Sequence, residues 1–287
     1  MSQFPENFME KLLKNAESLP TLPNVVMQVN AMLQDPDTDT RDLSRMIERD
    51  VALVTRILRL VNSAFFGLRS KVGNIPDAVS ILGFDTLHRI TLSLAVITTL
   101  GSLRKSPGDW LWPHAIRTAV GAEYLAIETK LCRPNDAFVA GLLHDIGLMV
   151  LARSMPDLFQ RILDETKKQQ KPFFIVEESL IPGFSHATLG GLMAKRWYLP
   201  PCLCQAIALH HRFPDDNTVS DLAILVHGAN ILDTHAELMG NGELLPSSMH
   251  PLAWQKLQAS LEKPDKWFPP LWERAGEACK LFLGEPV

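Results

Sequence analysis

Ala137-Phe-Val-Ala-Gly-Leu-Leu-His144-Asp145-Ile-Gly-Leu-Met-Val-Leu151 is the stretch on which the rest of the chain turns. It is apolar at nearly every position, yet shorter than the roughly 20 apolar residues that span a membrane. It reads as a helix buried on all sides, opened by Pro134. Two polar side chains stand in its middle, and a buried carboxylate must be paired, hydrogen-bonded or metal-bound. Successive helical residues diverge by about 100°. His144 and Asp145 therefore meet in one pocket only if it lies between their directions. Gly147, nearby, admits another backbone or a ligand at close range.

Outward from this stretch the periodicity is helical throughout. Val54, Ile57, Leu58 and Val61 share one face of a helix from Arg41 to Asn62, with Arg56 and Arg59 off it, on a solvated face or at an anion site. Phe84 to Leu103 is apolar almost all round and reads as the spine of an N-terminal lobe; His88 on it is structural. Further helices are expected at about 1–18, Pro23–Gln34, Pro113–Lys130, Met155–Gln170, His186–Trp197, Leu199–His211 and Val219–Leu238, with one or two more after Pro246. Residues 101–109, with Pro107 and Gly108, mark a lobe boundary, and Gly240-Asn-Gly242 ends the last strongly periodic helix. No strand or repeat is evident, so the chain is expected to be all-α.

The chain has 287 residues, 46% of them apolar, and 28 Lys+Arg against 32 Asp+Glu. A sizeable core follows, and broad electrostatic binding to nucleic acid or an anionic membrane does not. Cys132, Cys202, Cys204 and Cys279 lack metal or redox spacing and read as packing residues. No signal-peptide pattern opens the chain, so a reduced, cytoplasmic setting is expected.

Five further polar residues fall where helices can aim them at the dyad: His114, His186, His210 and the adjacent His211 by register, and Asn230, inward on the last helix beside Asp233. Metal sites in helical bundles are built from such inward side chains. Imidazole with carboxylate suits Fe, Mn, Zn or Ni, one ion or two.

His114 with His144-Asp145 resembles the start of the HD superfamily of metal-dependent phosphohydrolases. The closer likeness is to its HDOD branch, the HD-related output domain. It is carried by Leu19-Pro-Thr-Leu-Pro23, Arg59-Leu-Val-Asn-Ser-Ala-Phe-Phe-Gly67, Ala78-Val-Ser-Ile-Leu-Gly83, His144-Asp-Ile-Gly147, His186 with Trp197-Tyr-Leu-Pro200, and His210-His211. The resemblance implies an HD-domain-like helical bundle at 19–240, with an N-terminal lobe to about 105 and an HD-like lobe from about 106. A helical extension follows at 241–287. It implies bacterial signal transduction, often without proven catalysis, while related HD-GYP enzymes cleave cyclic dinucleotides with bound metals. His114, His144, Asp145, His186, His210 and His211 match metal positions, and His144 and Asp145 would be catalytic if the chain is an enzyme.

Three departures bear on catalysis. Asn230 stands where a last metal-binding carboxylate is expected, and Asp233 replaces it only if the helix rotates. Leu148 takes the place of a lysine, and Arg212-Phe-Pro214 the place of the Gly-Tyr-Pro segment. Two functions follow: a signalling output module with little or no catalysis, or a metal-dependent phosphohydrolase with Lys195, Arg196 or Arg117 on phosphate. A nucleotide sensor without turnover is a third. Signalling proteins are the expected partners, and self-association is compatible with all three.

Overall fold

The computed structural model describes residues 21–32, 39–63, 68, 70–101, 103, 106–214, 218–239 and 249–283. Among them every regular element is a helix, as expected. The anticipated helix at 1–18, Ala64 to Gly67 with its aromatic pair, and Gly240-Asn-Gly242 lie outside the described residues.

The N-terminal helices are α1 (Asn24–Met32), α2 (Thr40–Glu48), α3 (Val51–Val61), α4 (Ile75–Leu82) and α5 (Phe84–Leu100). Short polar side chains start several of them: Asp50 accepts from the Leu53 amide and Asn74 from the Asp77 amide. Gly83, at φ 80°, turns the chain between α4 and α5, and Gly101, at φ 67°, stops α5 a few residues earlier than the apolar run suggests. Leu87, Leu92 and Val96 of α5 are buried, and the helix packs on α1, α3 and α4. Arg56 and Arg59 lie on the exposed face of α3.

The second group comprises α6 (Leu111–Thr129), α7 (Pro134–Leu143), α8 (Ile146–Ser154), α9 (Pro156–Gln169), α10 (Phe173–Leu180), α11 (His186–Arg196), α12 (Pro201–Leu209) and α13 (Asp221–Met239). A further helix α14 (Pro251–Leu257), a 3-10 turn and α15 (Pro264–Leu283) complete the described residues. Proline opens α7, α9, α12 and α14, where its missing N–H costs nothing. Helix α6 is the hub, packed against α7, α13 and α15. The apolar core runs without interruption from Leu22 to Cys279.

The deciding stretch is not one helix. It breaks at His144-Asp145, between α7 and α8, where Asp145 adopts φ −100° and ψ 18°. The break removes the geometric difficulty of the uninterrupted helix, because the two side chains need no longer diverge. Pro134 to Ser154 together are long and apolar enough to cross a membrane, but 78% of their most apolar window is buried inside the protein.

Glycines set the close crossings around the dyad. A Cβ on Gly141 would lie 2.7 Å from the Ala119 Cα of α6. One on Gly147 would lie 2.0 Å from the His186 carbonyl oxygen of α11. The neighbour that Gly147 admits is thus a backbone. Of the cysteines, Cys204 and Cys279 are buried, as packing residues should be, whereas Cys202 is exposed.

Candidate metal centre

The break between α7 and α8 delivers the Asp145 carboxylate to the middle of four imidazoles. Its Oδ2 lies 3.2 Å from His144 Nε2 and 3.6 Å from His114 Nε2. Its Oδ1 lies 3.3 Å from His186 Nε2 and 3.4 Å from His210 Nε2. His211 joins the second set through His186, Nε2 to Nε2 at 3.1 Å. All six residues anticipated from the sequence thus meet in one place, in two groups that share Asp145. None of the first five is more than 6% exposed; His211 is half-buried.

Each of the four inner rings is anchored through Nδ1, which leaves Nε2 facing Asp145. His114 Nδ1 donates to Asp233 at 2.7 Å, and His144 Nδ1 to the Gly141 carbonyl at 2.7 Å. His186 Nδ1 donates to Glu177 at 2.8 Å, and His210 Nδ1 to the Ile207 carbonyl at 2.7 Å. Fixing one ring nitrogen by a carboxylate or carbonyl is how proteins orient imidazole ligands.

Glu177 was not legible as a site residue. It is fully buried, and its Oε2 also accepts the His186 backbone amide. The signal for it was a carboxylate four residues after Phe173 on a short apolar helix. Asp233 proves to be a holder of His114 and not a replacement ligand, and the Nε of Arg117 donates to it at 2.6 Å. Arg117 also lies 5.5 Å from the Trp272 ring of α15, so it is neither surface-solvated nor turned to a phosphate. Lys195 and Arg196 are exposed, and Asn230 is buried beside the centre's helix partners. His227, also unanticipated, donates from Nδ1 to the His210 carbonyl at 2.7 Å and steadies that turn.

Electrostatics divide the rings. Burial opposes charge on His186, but Glu177 and Asp145 outweigh it and raise its pKa to about 10. Burial likewise opposes charge on His114, and Asp233 with Asp145 overcomes it, so that pKa is also raised. Burial wins at His210, lowered to about 4, and at His211, lowered well below the usual value. Burial works against ionisation of Asp145, yet His144, His186 and His210 hold it well below the usual carboxylate range. His114 Nε2 lies 3.2 Å from His144 Nε2, and His186 Nε2 lies 3.1 Å from His211 Nε2. Asp145 Oδ1 and His210 Nε2 are buried with no hydrogen-bond partner. Orphaned donor atoms and paired imidazoles around one carboxylate fit divalent cations of the Fe, Mn, Zn or Ni type.

The HDOD domain profile matches residues 19–213. The chain belongs to the HDOD family. An uncharacterized Treponema pallidum protein is 30% identical over 202 residues, 69% of this chain and 38% of that relative, so the chain spans well under half of the relative's length. Among solved structures, an HDOD domain protein of unknown function from Geobacter sulfurreducens superposes with TM-score 0.70 at 25% identity, covering 92% of this chain and 94% of that one. A protein from Shewanella amazonensis SB2B, provisionally described as a phosphohydrolase, gives 0.71 at 23%, covering 93% and 97%. A provisional signal transduction protein from Marinobacter aquaeolei VT8 gives 0.72 at 23%, covering 94% of this HDOD chain and 60% of its own length. The last two likenesses speak to the fold alone.

Proposed function

We propose that this HDOD chain is a bacterial signal-transduction output module whose His/Asp centre binds divalent metal as part of its regulatory architecture, with little or no phosphoester cleavage. The observation that carries the metal reading is the Asp145 carboxylate, each oxygen turned to a separate imidazole group, with Oδ1 left unpartnered in the core. His114, His144 and Asp145 would hold one ion, and Asp145, His186, His210 and His211 a second. A bound cation of this kind polarises phosphoryl oxygens and lowers the pKa of water.

Three features weigh against strong catalysis. Asn230 is a neutral amide, Asp233 is committed to His114 and Arg117, and Leu148 is buried where the related enzymes carry a lysine. Signalling proteins are the proposed partners, and the cytoplasm the proposed setting.

The test is elemental analysis of protein purified without chelator, with product analysis on nucleotides and a cyclic dinucleotide. The expected result is bound metal, lost in Asp145→Ala, with no appreciable turnover. Metal-free protein would count against the centre as read here. Robust metal-dependent cleavage, lost in His144→Ala, would favour the second reading, a phosphohydrolase. What supports that alternative is the sharing of Asp145 between two ligand groups, the arrangement by which bridged metal pairs hydrolyse phosphoesters.

A further inference from the structure

Of the centre's residues only His211 reaches partial exposure, and it lines a cavity of about 290 Å³ together with Phe174, Ser185, Thr188, Glu178 and Arg212. Phe174 stacks on His211 with ring centroids 4.3 Å apart and planes 14° from parallel. Also at the cavity, the Arg212 guanidinium grips the Glu178 carboxylate with both NH groups, one at 3.0 Å. The two side chains are 60% and 44% exposed, so the pair is solvent-screened and adds little to stability. A bidentate guanidinium fork suits a phosphoryl group as well as a carboxylate.

Resting on the metal reading above, we infer that this cavity is the ligand site of the centre and takes a terminal phosphoryl group, as in inorganic phosphate or a 5′-mononucleotide. Glu178 occupies Arg212 until the ligand's oxyanion displaces it. The amides that open α11 contribute no anion site, because Glu177 and Ser185 already accept from His186, Ala187 and Thr188. Recognition therefore falls to Arg212, with the Ser185 and Thr188 hydroxyls at the cavity wall. At about 290 Å³ the cavity stands at the lower edge of the ~300–1,000 Å³ of small-molecule pockets, which favours one phosphorylated unit over a cyclic dinucleotide.

The experiment is calorimetric titration of Mn²⁺-supplemented full chain with inorganic phosphate, AMP and a cyclic dinucleotide, and metal analysis of the same samples. Wild type and Lys168→Ala, an exposed position outside this cavity, should bind phosphate and AMP alike. Arg212→Ala should weaken both at least tenfold, and Glu178→Gln should tighten both several-fold. The inference is overturned if Arg212→Ala binds like wild type, if Glu178→Gln is no tighter, if the cyclic dinucleotide binds as well as AMP, or if metal-loaded protein binds no phosphate. Phosphate binding through Arg212 in a chain that holds no metal would instead remove the metal reading and keep this one.

Discussion

Glu177 Oε2 lies 2.8 Å from His186 Nδ1 and 3.0 Å from the His186 amide, so one buried carboxylate fixes both the ring and the backbone of a candidate metal ligand. It occupies the N-terminus of α11, where the helix dipole favours negative charge. Replacing Glu177 with Gln keeps the shape and removes the charge. Losing such an orienting partner typically costs about 10- to 100-fold in metal affinity. A competition titration against a chromophoric chelator reads that loss; affinity equal to wild type would show that His186 is held by packing alone.

Protons and metal compete for the same nitrogens. With its pKa raised to about 10, His186 is charged at neutral pH and a cation must displace its proton; the raised pKa of His114 adds to the competition in the same direction. Metal affinity is therefore expected to rise with pH from 7 toward 9, by about tenfold per unit for each displaced proton. Calorimetry in buffers of different ionisation enthalpy counts those protons. Uptake with no proton release would contradict this.

His88 behaves oppositely. Its Nε2 is 2.6 Å from Asn30 Oδ1, and burial, with Arg89 nearby, lowers its pKa to about 4. The folded chain keeps His88 neutral while the unfolded chain protonates it near 6.5, so its contribution is complete above about 6.5 and is lost as pH falls through 4. A shift of this size corresponds to about 3 kcal/mol. Urea melts at pH 7 and pH 4.5 should show His88→Gln losing less stability on acidification than wild type.

Gly147→Ala tests the crossing of α8 and α11. Its Cβ would stand 2.0 Å from the His186 carbonyl oxygen and 2.6 Å from the Gly190 amide nitrogen, both of them backbone atoms that cannot rotate aside. A loss above ~3 kcal/mol, or failure to fold, is expected. Wild-type-like melting by circular dichroism would mean that the helices separate at little cost.

The helical class was legible because apolar spacing and proline-opened starts persist through the described residues, and the convergence of six His/Asp side chains followed from register and family likeness. Side-chain destinations were less legible. Asp233 shares an inward helix face with Asn230, yet spacing cannot tell that it answers to His114 Nδ1 and Arg117 across the bundle. Glu177 was hidden because its partner approaches from the next helix. The break at Asp145 was invisible because nothing in Leu-Leu-His-Asp-Ile-Gly, short of a proline, announces a lost helical turn.

The crossing at Gly147 and Gly190 brings main chain against main chain, since a Cβ on Gly147 would stand 2.6 Å from the Gly190 amide nitrogen. Asp145 sits two residues before one of those glycines, and His186 four before the other. Their separation is therefore set by peptide geometry, and substitutions elsewhere in the core can accumulate over evolutionary time without carrying the carboxylate away from its imidazole.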